Sequence, residues 1–172
     1  MAQQITPLRV CYLDFDGVMH VDSVFYSSER GIHITTPGYT LFEWAHILED
    51  LLHPHPDVKI VLSTSWVRAR SLDFAKAQLP KSLQARVIGA TFDIRLMQKL
   101  EYDLMSRGQQ VYADVERRKP ATWFALDNDD KGWPTEHRSR LVKTDDNTGL
   151  NSPDVQEAVR TILNAAPPAD VA

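Results

Sequence analysis

Asp14 and Asp16 sit one residue apart where the β-type run of residues 8–13 gives way to Gly17. Side chains alternate along a strand, so the two acids share a face while Phe15 points to the other. Gly17 then lets the backbone turn sharply and come close to a ligand. Carboxylates held side by side repel each other unless a cation or a shared proton intervenes, so the pair asks for Mg²⁺ or for a raised pKa. A strand end closed by an Asx turn uses the same residues, and this stretch alone leaves both readings open.

Two further strand ends carry polar chemistry. Residues 58–62 run straight into Ser63, Thr64 and Ser65, and residues 122–126 into Asp127, Asn128, Asp129 and Asp130. Hydroxyls placed there either hold a phosphate oxygen, together with N–H groups of the next helix, or simply cap that helix. The carboxyl ends of strands in an open parallel sheet lie along one side, where ligands bind. Asp127 follows its strand most directly and is the metal candidate of its group, with Asp129 and Asp130 binding through water or supporting the loop. An EF-hand calcium loop fails on spacing, because Lys131 and Arg138 fall where ligands are needed. His20, Trp66, Arg68 and Trp133 are candidates for the mouth of such a site, and each is read first as packing or surface. The six histidines show no metal-binding spacing. Cys11 lies inside the first apolar run with no activating partner and reads as a small buried hydrophobe.

The elements that must position these residues alternate strand and helix. After the acidic pair, residues 24–26 and 32–34 are β-type pieces separated by 27–31, which supply turn chemistry, and they predict a small hairpin flap over the strand end. Leu41, Trp44, Ala45, Leu48, Leu51 and Leu52 have helical spacing, so a helix is expected over about 40–52, ended by Pro54 and Pro56. The strand at 58–62 is followed by a helical pattern over about 71–79, closed by Pro80, and by a short strand at 86–90. Residues 94–105 predict a helix with Gly108 as its stop. A further helix spans about 109–118, before the strand at 122–126 and a last strand at 140–144. Ser152 and Pro153 suit the cap and first turn of a final helix to 164. This is βαβ logic: a mostly parallel sheet, right-handed crossovers and helices on both faces.

Leu13-Asp14-Phe15-Asp16-Gly17-Val18 resembles the first motif of the haloacid dehalogenase (HAD) superfamily. Residues 60–64 resemble its second motif, an apolar strand ending in Ser or Thr, and Ala125-Leu126-Asp127 its acidic fourth motif. The resemblance covers about residues 8–164. More narrowly, Ser63-Thr64-Ser65-Trp66, Leu126-Asp127 and Thr148-Gly149-Leu150 are similar to capless HAD-like domains attached to RNA-repair proteins. The implied fold is α/β and Rossmann-like, with three layers, a small flap and no large cap. The implied chemistry makes Asp14 a nucleophile that forms an aspartyl-phosphate, and Asp16 the acid that protonates the leaving group and then activates water. It also implies Mg²⁺ held by Asp14, the backbone carbonyl of Asp16, and Asp127, an oxygen-only set of the kind Mg²⁺ prefers.

The second-motif pattern favours Thr64 as the phosphate-contacting hydroxyl, with Ser65 beside it and Ser63 still open. The third motif needs a cation, usually Lys. Lys119-Pro120 matches it superficially, but Lys119 ends a helix, and helices run antiparallel to the strands, so that end faces away from the reactive edge. Arg107 precedes the same helix, twenty positions before Asp127. A guanidinium there can pair both phosphate and Asp14, although an exposed cap of the preceding helix is an equally simple role for it.

With 43% apolar and 24% charged residues, the 172-residue chain has the make-up of one globular domain, 1–172, with a flap at about 19–38 and a frayed tail from about 165. No apolar run approaches the roughly 20 residues of a membrane span, and Met-Ala-Gln-Gln lacks the regions of a signal peptide, so a cytoplasmic protein with no membrane partner is expected. The net charge of −4 gives no global pull on nucleic acid yet allows a local basic groove. The expected function is Mg²⁺-dependent phosphomonoester hydrolysis of a bulky substrate such as a phosphorylated nucleotide or nucleic-acid end. The alternatives are a catalytically weak binding or regulatory domain, and a phosphotransferase.

Overall fold

The alternating apolar runs and helical stripes become a five-stranded parallel sheet in the computed structural model, which describes residues 7–165. Strand β1 (Arg9–Leu13) is followed by β2 (Val24–Ser27), β3 (Gly31–Ile34), α1 (Ala45–Leu52) and β4 (Val58–Leu62). Then come α2 (Ser65–Ala69), α3 (Leu72–Ala77), α4 (Lys81–Gln84), β5 (Val87–Ala90), α5 (Lys99–Leu104) and α6 (Arg107–Arg118). The chain ends with β6 (Thr122–Asp127), a 3₁₀ turn (Thr135–Arg140), β7 (Leu141–Lys143) and α7 (Pro153–Asn164).

The sheet order is β5-β4-β1-β6-β7, and every pairing is parallel. Such a sheet is covered on both faces, which is why its strands read as near-continuous apolar runs. Cys11, Leu13, Ile60, Leu62, Phe124 and Leu126 face a core shared with α1, α3 and α7. Val10, Tyr12, Val61, Trp123 and Ala125 face the opposite way, against Val111 and Val115 of α6. Each of the fully buried Leu13, Ile60, Leu62 and Leu126 contributes about 2 kcal/mol through the area it removes from water. The chain adds β4 and β5 on one side of β1, then returns to add β6 and β7 on the other. That reversal opens a crevice at the carboxyl ends of β1 and β6.

Between β1 and β4 lie only α1 and the antiparallel β2–β3 hairpin, in register from Val24–Ile34 to Ser27–Gly31. Three helical expectations need correction. The first helix starts at Ala45 rather than near 40, because Phe42 adopts a left-handed backbone (φ 58°) that no helix can include. Of the helix expected at 94–105 only Lys99–Leu104 forms; Ile94, Leu96, Leu100 and Leu104 are 60–78% exposed, so their spacing has no core to face. Gly108 is not a stop but the second residue of α6. A Cβ there would collide with the backbone of Gly132, so glycine marks the close approach of a loop. Helix α2 was also unforeseen, and it starts directly on Thr64. At the far end Pro153 opens α7 as expected, while the Ser152 side chain makes no capping bond. The frayed tail expected from about 165 lies, beyond Ala165, outside the described residues.

Candidate active site

Three strand ends meet where β1 runs out. Asp14 N–H donates to the Leu126 carbonyl at 3.1 Å, and Ser63 N–H donates to the Leu13 carbonyl at 2.8 Å. The chain then turns at Gly17, whose φ of 71° is open to glycine at little cost. An added Cβ would lie 2.5 Å from the Asn128 amide, which itself donates to Asp146 at 2.8 Å and to Asp22 at 3.2 Å. Thr144 Oγ1 donates to the Gly17 carbonyl at 2.7 Å and ties this turn to the end of β7.

Asp14 and Asp127 are 4% and 1% exposed. One oxygen of each is satisfied locally: Asp14 Oδ1 accepts from Phe15 N–H (2.8 Å) and Asp127 Oδ1 from Asp129 N–H (2.9 Å). Their other oxygens share one guanidinium. Arg107 Nη2 lies 3.4 Å from Asp14 Oδ2 and Arg107 Nε 3.1 Å from Asp127 Oδ2. The Nε–H is not aimed at its oxygen, so Asp127 Oδ2 is buried without a hydrogen-bond donor.

Arg107 is the first residue of α6, one position inside the Ser106 cap rather than in the loop ahead of the helix. A cation at a helix N-terminus is opposed by the macrodipole by about 0.3–1 kcal/mol, so the helix does not favour it there; the two acids do. Burial works against the Arg107 charge, but Asp14 and Asp127 beside it outweigh that and push its pKa up. Burial raises the Asp14 carboxyl to about 6 and outweighs the pull of Arg107, with Asp16 adding to the rise and the Phe15 N–H and Thr64 hydroxyl opposing it. Asp127 is pushed up as well, first by burial and then by the charge of Asp14, against Arg107.

Asp16 is gripped differently. Trp66 Nε1–H donates to both of its oxygens, at 3.2 Å to Oδ1 and 3.1 Å to Oδ2. His20 Nε2 lies 3.0 Å from Oδ1, and His20 Nδ1 accepts from Phe42 N–H at 3.1 Å. Since Nδ1 accepts, the ring is neutral with its proton on Nε2, which therefore donates to Asp16. His20 is fully buried and Trp66 nearly so, whereas the Asp16 side chain keeps 24% exposure.

A family model described as the HAD domain in Swiss Army Knife RNA repair proteins matches residues 10–155. The chain belongs to this family. Neither a search of curated proteins nor one of solved structures finds a match. Among the described residues no helix is long and apolar enough to cross a membrane.

Other sequence candidates fall into place around this HAD domain's strand ends. Thr64 caps α2, its hydroxyl accepting from Trp66 N–H at 3.4 Å. Ser63 Oγ is buried with no partner, and Ser65 is exposed beside Arg107 and Arg68 in a cavity of about 280 Å³. Asp129 borders the same cavity, whereas Asp130 is taken up by Arg138 (3.0 Å) and Lys143 (3.1 Å) and braces the loop. Arg68 pairs with Asp103, and Trp133 stacks on Trp123 in the core. Lys119 caps the far end of α6, roughly 18 Å along the helix from Arg107 by the rise of 1.5 Å per residue. The sequence offered His20 and Trp66 as candidates for the mouth, read first as packing or surface, and not as partners of Asp16. The available signal was the i,i+4 offset of His20 from Asp16 and the place of Trp66 just after the hydroxyl run.

Among the described residues no cluster of three or more His, Cys, Asp or Glu side chains is arranged to hold a metal. The donor chemistry nevertheless fits a hard divalent ion. Two nearly buried carboxylates, both pushed toward protonation, and the orphaned Asp127 Oδ2 present oxygen atoms only.

Proposed function

We propose that this HAD domain is a Mg²⁺-dependent phosphomonoester hydrolase that works through an aspartyl-phosphate on Asp14. The observation that carries this reading is the bridge Asp14–Arg107–Asp127 at the crevice of the sheet. Arg107 holds the attacking carboxylate and pairs with the incoming phosphoryl oxygens. An Asp14 oxygen attacks phosphorus, the ester P–O bond breaks, and the leaving oxygen takes a proton from Asp16. Asp16, now a carboxylate, removes a proton from water; the water oxygen attacks phosphorus, the bond to Asp14 breaks, and phosphate departs. The Thr64 hydroxyl, with Ser65 next to it, steadies a non-reacting oxygen. When bound, Mg²⁺ supplies positive charge against the phosphoryl group and Asp14, held by the Asp14 and Asp127 side chains and the Asp16 carbonyl.

A bulky substrate such as a phosphorylated nucleotide or nucleic-acid end suits the open surroundings. The hairpin is small, and a trough of about 720 Å³ lined in part by Arg68, Arg70, Arg95 and Lys99 shares Arg68 with the cavity at Arg107. The family's occurrence in RNA repair proteins supports the same choice. A cytoplasmic setting belongs to this reading, with the only cysteine, Cys11, buried in β1 and its thiol pushed up by burial. A second reading, a weakly catalytic binding domain, draws on the Arg107–Asp14 contact, because a guanidinium fixed on the nucleophile slows its attack.

The test is phosphate release, with and without Mg²⁺, from nucleotides, sugar phosphates and 5′- or 3′-phosphorylated oligonucleotides. Release that requires Mg²⁺ is expected, strongest on the oligonucleotides. Binding with no release across the panel favours the second reading, and phosphate appearing on an added alcohol in place of water indicates a phosphotransferase.

A further inference from the structure

We infer that His20 and Trp66 are positioning residues that hold the Asp16 carboxyl in one orientation at the edge of the site. The inference rests on the phosphatase reading for its chemistry, but its geometry stands apart from it. Oδ1 accepts from two donors, His20 Nε2–H at 3.0 Å and Trp66 Nε1–H at 3.2 Å, while Oδ2 shares only the Trp66 donor, at 3.1 Å. Held this way, Asp16 gives its proton to the ester oxygen as the Asp14 Oδ–P bond forms and the P–O ester bond breaks.

The clamp is built with some strain. Phe42 holds a left-handed backbone at φ 58°, which costs a residue with a Cβ about 1–3 kcal/mol, and its N–H is the group that fixes the tautomer of His20. Its ring stands edge-on to His20 (4.9 Å between centroids), Phe15 (5.0 Å) and Trp66 (5.5 Å). These contacts hold both donors in place: His20 packs against the rings of Phe42 and Trp66, and Trp66 against those of Phe15, His20, Phe42 and Phe74. Nothing in ordinary core packing calls for a neutral histidine whose two ring nitrogens are both committed, one to a strained backbone and one to a partly exposed carboxylate.

The experiment compares wild-type protein with Trp66→Phe, which keeps the ring and loses the N–H, and with His20→Gln, which retains a donor at the place of Nε2. Substrates are an aryl phosphate with a good leaving group and an alkyl phosphate with a poor one. General acid catalysis matters most for the poor leaving group, so Trp66→Phe should lose about tenfold or more in kcat on the alkyl ester, stay within about threefold on the aryl ester, and keep its KM. His20→Gln should retain more alkyl activity than His20→Ala. Equal losses on both esters, or a change in KM alone, would overturn the positioning role. Should the histidine variants fail to fold, Trp66→Phe decides alone. A separate readout is ¹⁵N NMR of the imidazole and indole groups: protonated Nε2 with bare Nδ1 at His20, and a Trp66 N–H resonance that moves in Asp16→Asn, are expected. The opposite tautomer, or an unmoved Trp66 signal, removes the clamp itself. Wild-type protein inert on both esters with an intact NMR signature removes the phosphatase reading and the proton-donor role together, leaving the clamp as geometry.

Discussion

Arg107, first residue of α6, and Asp127, last residue of β6, meet at 3.1 Å in a region where the acid is 1% exposed. With Asp14 on the other side of the guanidinium, one cation serves two buried acids. Removing one partner of a buried pair is far more costly than the pair's net contribution, because it leaves charge without compensation. Arg107→Gln is therefore expected to lower stability by about 3 kcal/mol at pH 7.5, measured by urea unfolding, and by less at pH 5.5, where the acids take up protons instead. Lys119 gives the opposite result. It holds φ 50° at the end of α6, so Lys119→Gly should raise stability by about 0.5–1 kcal/mol and leave phosphate release unchanged.

The Asp14 carboxyl, pushed up to about 6 from the usual 3.8, binds its proton more tightly in the folded chain than in the unfolded one. Its contribution to stability is therefore fully present below pH 3.8 and is lost as pH rises through 6; Asp127 acts in the same direction. Metal-free wild-type protein should lose about 1–3 kcal/mol relative to Asp14→Asn between pH 4 and pH 7, read as the difference between two urea-unfolding series. Added Mg²⁺ should raise the wild-type Tm more at pH 7.5 than at pH 5.5, and should do little for Asp14→Asn.

Gly17 and Gly31 both have positive φ, 71° and 66°, but only Gly17 is crowded. An alanine Cβ at Gly31 meets nothing within 4 Å, so Gly31→Ala should cost about 1 kcal/mol from backbone strain alone. At Gly17 the same methyl must also displace the Asn128 amide from Asp22 and Asp146, and a cost of about 2–3 kcal/mol is expected. Thermal unfolding of the two variants side by side measures the difference.

The parallel strands were legible in the sequence for a physical reason. A strand buried on both faces has to be apolar throughout, so residues 9–13, 58–62 and 122–127 stand out, and the polar residues at their ends mark the sheet edge. Helix orientation could also be reasoned out, and the structure puts Arg107 and Lys119 at opposite ends of α6, with Arg107 among the acids. What stayed hidden depends on tertiary contact. The apolar spacing of 94–105 looked helical, yet Ile94, Leu96, Leu100 and Leu104 face solvent, and Gly108 answers to a loop 24 positions away at Gly132. His20 reaches Asp16 only because the chain doubles back at Gly17, and the proton on its ring is set by Phe42, a residue whose conformation no propensity predicts.

The most direct measurement of the central claim is chemical trapping of the covalent intermediate. Protein mixed with Mg²⁺ and an aryl phosphate is quenched with borohydride, which reduces an aspartyl-phosphate to homoserine, and the modified residue is located by mass spectrometry. The account predicts homoserine at position 14, dependent on Mg²⁺ and substrate, and none in Asp14→Asn. Modification at another acid, or phosphate release by Asp14→Asn at the wild-type rate, would contradict it.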